Sequence, residues 1–525
     1  MKRMNIVFAF ADDWGKYASA YAPFEGADSI NSLISTPNFD RIAREGALFQ
    51  HAFVPAPSCT PCRSSVLSGR YFWQTGLGAV LDGAVWDESI ETYPLELERS
   101  GGYFLGHTYK VWSPGVVSDA PYGGLRTAYN KGGIRFGLFS HEVTARGEEI
   151  GIEAAKQELY DEVALSFSDF LEKRPAGRPF CYWWGPTNTH RSWERGSGKR
   201  LWGIDPDSLK GKLPDFLPDV HEIRQDFADY LGEVQAFDAG LGVILRKLEE
   251  AGELDNTLFV VSGDHGIPGF PRAKCNVYDF GQEVALAVRW PGKVKPGRVI
   301  DDLVNIMDLA PTFLEAAGVA VPSCMTAKSL LPLLLSEKSG QVDPSRTFVI
   351  TGRERHAQDA RPGGLPYPMR GIRTEQYLYI VNFEPDRWPM GDPLGLDDPN
   401  REIPFSVIRH VRYATFTDCD AGPTKAWMCV HRNDEDVRPL FDLAMGKRPY
   451  EELYDLENDR YYMRNVAGQP EYAQIKEQLR KRLFDVLTEQ RDPRVTETPC
   501  RFEAEPYAGP SKVPFVSPGA GVWYF

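Results

Sequence analysis

The sequence predicts an α/β fold in which a mixed, mostly parallel sheet is sandwiched between helices, with a smaller α+β domain at the C-terminal end. Three observations predict it. Several apolar runs end abruptly in polar turns, and helical patterns lie between those runs. From about residue 370, the sequence instead reads as antiparallel strands and an amphipathic helix. Continuous apolar runs are typical of parallel strands buried on both faces. Alternation of strands and helices indicates a sheet covered by helices on both sides.

The strands come first in this order. The run "NIVFAF" stops at Asp12 and Asp13, "FCYWWG" stops at Pro186, and "TLFVVSG" stops at Asp264 and His265. In open α/β sheets, ligands bind beyond the carboxyl ends of the strands. The three polar turns are therefore the first places to look for a functional site.

The helices and domains follow from capping residues and periodicity. Thr36-Pro37 predicts the start of a helix that ends at Gly46, and residues 225–251 have apolar residues at helical spacing. We predict domains at 1–370 and 371–500, the second with antiparallel strands and an amphipathic helix. Residues 501–525 are rich in Pro, Gly and aromatic residues, and we expect this tail to be loose or to lie on another surface, such as a second subunit of a homo-oligomer.

Composition excludes several classes of protein. Among 525 residues, 42% are apolar and 25% are charged, as in soluble globular proteins. The net charge of −14 and the lack of a Lys/Arg block argue against nucleic-acid binding. No apolar run reaches the roughly 18 residues of a membrane span. Eight cysteines are too sparse for a disulfide scaffold, and the N-terminus has no signal-peptide pattern, so we expect a cytoplasmic protein.

The stretch "PSCTPCRSSVLSGRY" holds two cysteines, Cys59 and Cys62, followed at once by Arg63. A thiol–disulfide exchanger does not require the arginine. A structural zinc site would need a second pair of ligands, and the other cysteines are scattered singly. Two buried thiols in a loop, or a reactive side chain framed beside a fixed positive charge, remain as interpretations.

This stretch resembles the signature of type I sulfatases, which belong to the alkaline-phosphatase-like superfamily. The segments "NIVFAFADDWG" and "LFVVSGDHG" are similar to the family's metal motifs, and "ELYDLENDRYYMRNVAGQPEY" is similar to its closing motif. The resemblance covers nearly the whole chain. It implies the alkaline-phosphatase-like fold, hydrolysis of sulfate esters or sulfamates, and oxidation of Cys59 to formylglycine by a formylglycine-generating enzyme.

The resemblance also implies the site residues. Around the sulfuryl group it places the catalytic Cys59, Arg63, Lys110, His190 and Lys274. One divalent metal, Ca²⁺ or Mn²⁺, is implied on Asp12, Asp13, Asp264 and His265, with the modified Cys59 as a further ligand. His265 stands where many sulfatases have asparagine, and an imidazole ligand favours manganese or another transition ion over calcium.

Two positions depart from the family pattern, since Tyr109 and Trp112 stand where glycine and histidine are usual. The formylglycine chemistry is physically reasonable, because a hydrated aldehyde offers one hydroxyl to attack sulfur and a second to release the sulfate ester. The residue that acts as general base is not assigned by the sequence.

The substrate is predicted less directly. The region around Glu354, Arg355 and His356 resembles the heparan N-sulfatase branch and its bacterial relatives, which implies a sulfated saccharide, with an aryl sulfate as the other expectation. These three residues are candidates for contacts with the sugar or, equally, a solvated loop. The tryptophans 183, 184 and 193 either stack on a sugar ring or belong to the core. A phosphonate monoester or phosphodiester hydrolase on the same scaffold, and a non-catalytic binding protein with a free Cys59 thiol, are the alternatives.

Overall fold

The structure is a computed structural model that describes residues 3–26 and 28–503. Of the predicted tail, Arg501–Glu503 form a short 3₁₀ turn, and residues 504–525 lie outside the described residues.

The described ranges form fourteen strands, which are β1 (Asn5–Ala11), β2 (Ala47–Phe49), β3 (Ala52–Phe53), β4 (Phe104–Tyr109), β5 (Phe180–Gly185), β6 (Thr257–Gly263), β7 (Glu283–Val284), β8 (Leu286–Arg289), β9 (Arg298–Ile300), β10 (Val304–Asn305), β11 (Phe348–Arg353), β12 (Met369–Thr374), β13 (Tyr377–Asn382) and β14 (Glu451–Asp455).

The same ranges form the helices α1 (Ala22–Glu25), α2 (Pro37–Glu45), α3 (Cys59–Ser68), α4 (Tyr93–Arg99), α5 (Phe139–Ile150), α6 (Ile152–Lys173), α7 (Ser197–Trp202), α8 (His221–Glu250), α9 (Asp279–Gln282), α10 (Leu309–Ala316), α11 (Leu331–Leu335), α12 (Phe405–His410), α13 (Pro423–Val430), α14 (Arg438–Met445), α15 (Ala473–Glu489) and α16 (Pro493–Thr496). In this part of the chain, none of the helices has the length and apolar character that a bilayer crossing requires.

The central sheet is mixed and mostly parallel, as predicted. Its order is β4-β5-β1-β6-β8-β2-β9. Strand β1 runs parallel to both β5 and β6, and β4 runs parallel to β5, whereas β8 is antiparallel to its neighbours β6 and β2. The register pairs Ala11 with Gly263, so the turns that follow β1 and β6 begin at the same level of the sheet. A small sheet, β10-β3-β7, lies beside it in the described part of the chain.

Helices cover both faces of this sheet, because alternate residues of β1 belong to two different cores. Val7, Ala9 and Ala11 pack in one apolar cluster with residues of α6 and α8. Ile6, Phe8 and Phe10 pack in the other with residues of α3 and α10. The predicted helix that starts at Thr36-Pro37 is confirmed as α2, and the helix predicted for 225–251 is α8.

Helix α3 lies entirely inside the protein although it contains three serines. The hydroxyls of Ser64, Ser65 and Ser68 donate to carbonyls four residues earlier in the helix, at 2.8, 3.2 and 2.7 Å, which lets them be buried without a lost hydrogen bond. Pro61 lies in the first turn, where its missing N–H is tolerated. Gly69 ends the helix in the left-handed conformation, with φ at +62°. The helix therefore presents a fixed N-terminus at Cys59.

The C-terminal part contains the predicted antiparallel sheet, in the order β11-β12-β13-β14. Leu479, Leu483 and Leu487 of α15 pack on its apolar face together with Ile372 and Val381. The first strand of this sheet, β11, comes before the predicted domain boundary at residue 370. The domain limits 1–370 and 371–500 stay a prediction.

Candidate active site

The candidate site lies at the carboxyl ends of four adjacent parallel strands. Asp12 and Asp13 follow β1, and Asp264 and His265 follow β6. Lys110 follows β4, and His190 lies in the segment after β5. The sheet order places these four strand ends side by side.

Four ligand atoms meet in a buried group that fits one metal ion. The carboxylates of Asp13 and Asp264, the imidazole of His265 and the sulfur of Cys59 each offer one atom, all within 4.8 Å of one another. Nε2 of His265 lies 3.1 Å from Oδ1 of Asp13, 3.6 Å from Oδ1 of Asp264 and 3.4 Å from Sγ of Cys59. Oxygen and nitrogen donors of this kind suit a divalent cation.

The orientation of the His265 ring supports the same fit. Its Nδ1 donates to the backbone carbonyl of Gly266 at 3.0 Å, and this leaves Nε2 facing Asp13, Asp264 and Cys59. Burial raises the pKa of Asp264, and the neighbouring carboxylates Asp12 and Asp13 add to the rise. Several acidic groups crowded in a dry site are stabilised by a cation between them.

Asp12 and Asp13 point to different partners, because Asp13 adopts the left-handed conformation with φ at +55°. The backbone N–H of Asp13 donates to Oδ1 of Asp264 at 2.8 Å. The carboxylate of Asp12 accepts from Nζ of Lys110 at 2.7 and 2.8 Å and from Nη2 of Arg63 at 3.1 Å. Burial raises the pKa of Asp12, but Lys110 and Arg63 outweigh burial and hold that pKa well below its usual range. Asp12 therefore lies beside the four-atom group with both oxygens held by cations.

Arg63 is fully buried and holds the site together. Its Nε donates to Asp264 at 2.8 Å and its Nη2 donates to Asp12. Its Nη1 donates to the backbone carbonyls of Lys110 and Val111, each at 3.1 Å. A planar guanidinium can serve these directions at once, whereas a lysine ammonium cannot.

The two lysines supply the remaining positive charge, and His190 lies beside them. Burial lowers the pKa of Lys274, but the Asp13 and Asp420 carboxylates raise it well above its usual value, so Lys274 stays charged. Its Nζ donates to Oδ2 of Asp13 at 2.9 Å. His190 is about one-third exposed, with Nε2 3.8 Å from that same oxygen and Nδ1 bonded to the carbonyl of Arg191. His190 therefore stands at the edge of the site.

Cys59 is the first residue of α3 and is buried. Burial raises the pKa of its thiol well above the usual value, and the Asp12 carboxylate raises it further. Cys59 and Cys62 are both free, and Cys62 is not part of the metal-ligand group found in the described residues. The positions of Cys59 and Cys62 therefore do not support a redox pair or a zinc site.

The three predicted sugar-contacting residues have different surroundings. Glu354 is buried, and its two oxygens accept from Arg370 at 2.8 Å and Arg494 at 2.6 Å, so it belongs to a buried ion network. Arg355 donates to the backbone carbonyl of Asp82 at 3.1 Å. His356 is buried with Nδ1 2.8 Å from Oγ of Ser58, directly before Cys59, so it is the one of the three that adjoins the nucleophile.

The tryptophans do not provide a stacking surface. Trp183 and Trp184 have no exposed area, and Trp193 is 8% exposed and covered by the guanidinium of Arg191, 4.1 Å from its ring centre. Trp112, at the position where the family has histidine, donates from Nε1 to Ser64 at 2.7 Å. All four belong to the core.

Asp420 is the main site residue that sequence reasoning missed. Its Oδ2 lies 3.3 Å from Nζ of Lys274, and Arg412 lies on its other side. Both residues come from the segment between β13 and β14, which carries no strand-end pattern. Only the closely spaced acidic residues in "TFTDCDAGP" signalled a polar cluster there.

Comparison with known proteins agrees with this geometry. A family model described as "Sulfatase" matches residues 4–94 and 108–319, and one described as "N-sulphoglucosamine sulphohydrolase, C-terminal" matches residues 270–402. The human N-sulphoglucosamine sulphohydrolase is 27% identical over 93% of this chain and 91% of its own.

Two solved structures share the fold. One, determined in complex with its substrate D-glucosamine-2-N,6-O-disulfate, has a TM-score of 0.57 and 19% identity over 94% of this chain and 100% of its own. The other, a phosphonate monoester hydrolase of Agrobacterium radiobacter, has a TM-score of 0.62 and 17% identity over 93% of this chain and 96% of its own.

The mixed sheet and the two solved structures show the alkaline-phosphatase-like fold, so the predicted fold is confirmed. The match to the sulfatase family model extends over more than half of the chain. The chain belongs to the sulfatase family, whose members are sulfuric ester hydrolases, and the predicted resemblance is confirmed.

Proposed function

We propose that this sulfatase hydrolyses a sulfate ester or sulfamate on a saccharide, and that it does so through a formylglycine at position 59. The observation that carries the proposal is the position of Cys59 at the N-terminus of α3, 3.7 Å from Asp13 and 3.4 Å from His265. A helix N-terminus favours an anion. The saccharide part is supported by the human relative's name and by the disulfated glucosamine in one structural neighbour.

The unmodified thiol is a poor nucleophile in this setting. Burial and the Asp12 carboxylate keep its pKa high, so the reactive thiolate is not formed near neutral pH. An aldehyde at the same position is hydrated to a diol. Its hydroxyls can attack without a thiolate having to form at position 59. We therefore include a formylglycine-generating enzyme as the maturation partner.

Asp13, Asp264 and His265, with the side chain at position 59, would hold a divalent metal, and Asp12, the further predicted ligand, lies beside them. Of the two predicted ions, the imidazole nitrogen favours Mn²⁺ over Ca²⁺, which prefers oxygen ligands alone. When bound, this ion supplies positive charge against the charge that develops on the sulfuryl oxygens. Lys110 and Lys274 add fixed positive charge on either side, since Asp12 and Asp13 hold their ammonium groups in place.

The reaction then proceeds in two steps. One hydroxyl of the hydrated aldehyde gives its proton to water and its oxygen attacks sulfur, while the bond from sulfur to the leaving oxygen or nitrogen breaks. The leaving atom takes up a proton, and we propose His190 at the site's edge as its donor. The second hydroxyl next loses its proton and becomes the aldehyde carbonyl, while the carbon–oxygen bond to sulfate breaks. Water hydrates the aldehyde again.

Turnover of four substrate types by one preparation tests this proposal. We expect release of sulfate from a saccharide sulfamate or sulfate ester, slower release from an aryl sulfate, and little hydrolysis of a phenylphosphonate ester. Cys59→Ala serves as the inactive control. Preferred hydrolysis of the phosphonate ester would instead favour a phosphonate monoester or phosphodiester hydrolase. The Asp264-His265 pair and the phosphonate hydrolase neighbour are the observations that favour this second function.

A further inference from the structure

A second polar cluster lies against the far side of Lys274. The ammonium of Lys274 contacts Asp13 at 2.9 Å and Asp420 at 3.3 Å, so one side chain separates the metal-ligand group from this cluster. Asp420 is 7% exposed, and its Oδ1 lies 3.8 Å from Nε of Arg412. His356 adjoins the cluster, because the backbone N–H of the next residue, Ala357, donates to Oδ1 of Asp418, two residues before Asp420, at 2.9 Å.

Three buried polar atoms of this cluster have no hydrogen-bond partner among the described residues. They are Oδ2 of Asp420, Nη2 of Arg412 and Nε2 of His356. The 3.3 Å contact of Oδ2 with Lys274 brings opposite charges together, but it lacks the angles of a hydrogen bond. Buried polar groups in native proteins are nearly always paired, so three unpaired ones in one place indicate partners from a ligand.

The cluster is fastened at both ends to the catalytic site. His356 contacts Ser58 at 2.8 Å, next to the nucleophile position. On the opposite side, Asp226 accepts from Arg191 at 2.8 and 2.6 Å and from Thr424 at 2.6 Å. Arg191 follows His190, and Thr424 belongs to the helix that begins just after Asp420. The segments that carry the three unpaired atoms are thus hydrogen-bonded to residues next to Cys59 and His190.

The charges in the cluster decide what it can bind. Burial raises the pKa of Asp420, but Lys274 and Arg412 hold it well below its usual range, so Asp420 is a carboxylate that accepts. Arg412 only donates. Burial and the charge of Arg412 lower the pKa of His356, so its imidazole is neutral. A hydroxyl both donates and accepts, so adjacent hydroxyls match this set, whereas a second sulfate would meet the Asp420 carboxylate.

We propose that Asp420, Arg412 and His356 bind neighbouring unsulfated hydroxyl groups of the saccharide whose sulfate lies at position 59, and that Asp420 discriminates against a second sulfate there. This inference rests on the proposed function, because both concern one site. It adds the substrate class, a saccharide with free hydroxyls beside the sulfated position.

Binding measured without turnover tests the inference. In the full-length Cys59→Ser protein, calorimetry compares D-glucosamine N-sulfate, the same sugar with an added 3-O-sulfate, and phenyl sulfate. We expect Asp420→Asn to reduce the preference for D-glucosamine N-sulfate over phenyl sulfate by about tenfold, and also to reduce the discrimination against the 3-O-sulfated sugar. Arg412→Met is the second variant, and it is expected to reduce the first preference similarly.

Asp492→Asn is the matched control, because Asp492 is also a buried carboxylate paired with an arginine, Arg370 at 2.5 Å, but lies in the C-terminal ion network. It should keep both preferences. Equal weakening of sugar and phenyl sulfate by Asp420→Asn, or unchanged preferences, would overturn the inference alone. If the Cys59→Ser protein binds none of the three sulfates, the proposed function fails with it.

Discussion

At the scale of single residues, Arg63 connects the nucleophile helix to two strand ends. Its guanidinium binds Asp264 after β6, Asp12 after β1 and two carbonyls after β4. Because Arg63 is four residues after Cys59 on α3, it sets where the helix N-terminus lies relative to the metal-ligand group. We therefore regard Arg63 as a positioning residue for position 59.

Arg63→Lys should remove most activity and lower stability. Lysine keeps the charge but cannot replace every bond of the guanidinium, so Oδ2 of Asp264 and the carbonyl of Val111 lose the donor that Arg63 supplies, at a cost of about 1–3 kcal/mol for each group left unpaired. Urea unfolding and sulfate release measure the two effects. Arg41→Lys is the control, since Arg41 pairs with Glu45 and Glu249 on the surface. A fully active and stable Arg63→Lys protein would contradict this role.

The residues at strand ends were predictable because apolar runs stop at them and parallel strands end at one edge. Asp264, His265 and Asp13 are placed together by that rule. The surroundings of Glu354 and Asp420 were not predictable, since each depends on contacts between distant segments. A charged triplet in the sequence looks the same whether it binds sugar or, like Glu354, pairs with buried arginines.

At the scale of elements, α8 carries four buried acidic side chains, which are Asp226, Asp229, Glu233 and Asp238. Asp229 and Asp238 accept from backbone N–H groups of neighbouring segments, and Glu233 accepts from Ser140 at 3.1 Å. Burial raises the pKa of Glu233 to about 7, despite hydrogen bonds from Ser140 and Asn188 that lower it. Glu233 binds Asn188 and Asp229 binds Gly198, on either side of His190 in the chain, whereas Asp238 binds Phe39 of α2. The helix pattern alone predicts none of these contacts.

The pKa of Glu233 predicts a pH effect on stability. In unfolded chains a glutamate titrates near pH ~4.3, so between that value and about 7 the native state holds a proton that the unfolded state has lost. The free energy of unfolding therefore falls as pH rises through this window, by at most about 1.4 kcal/mol per unit for this group. Glu233→Gln should show a shallower fall in urea titrations from pH 5 to pH 8.

Glu249→Gln at the exposed end of α8 is the control and should keep the wild-type pH dependence. Identical slopes for wild type and Glu233→Gln would show that Glu233 is already ionised in the folded protein below pH 7.

At the scale of the whole molecule, a buried ion network joins the strands of the C-terminal sheet to the last helices. Arg370 of β12 binds Glu354 and Asp492, and Arg494 of α16 binds Glu354 as well. The alternation of strands and helices predicted the catalytic sheet well. It could not predict that β11, just before the Glu354 segment, belongs to the C-terminal sheet, because strand pairing depends on contacts far apart in sequence.

Glu354→Gln should lower stability without raising the Michaelis constant for the saccharide. The change removes the charge of Glu354 from Arg370 and Arg494, which keep Asp492 and Glu503 as partners, so we expect a loss of about 1–3 kcal/mol. Thermal unfolding and steady-state kinetics of the folded fraction separate the two effects. Asp442→Asn, which breaks an exposed pair with Arg438, should change neither. A raised Michaelis constant at unchanged stability would restore Glu354 to the sugar-binding site.

The state of position 59 connects the fold, the site and the reaction. Mass spectrometry of the peptide that contains Cys59, on samples matured to different extents with a formylglycine-generating enzyme, tests it most directly. We predict that sulfatase activity rises in proportion to the fraction in which the thiol has become an aldehyde. Full activity in a sample that retains the Cys59 thiol would contradict the account.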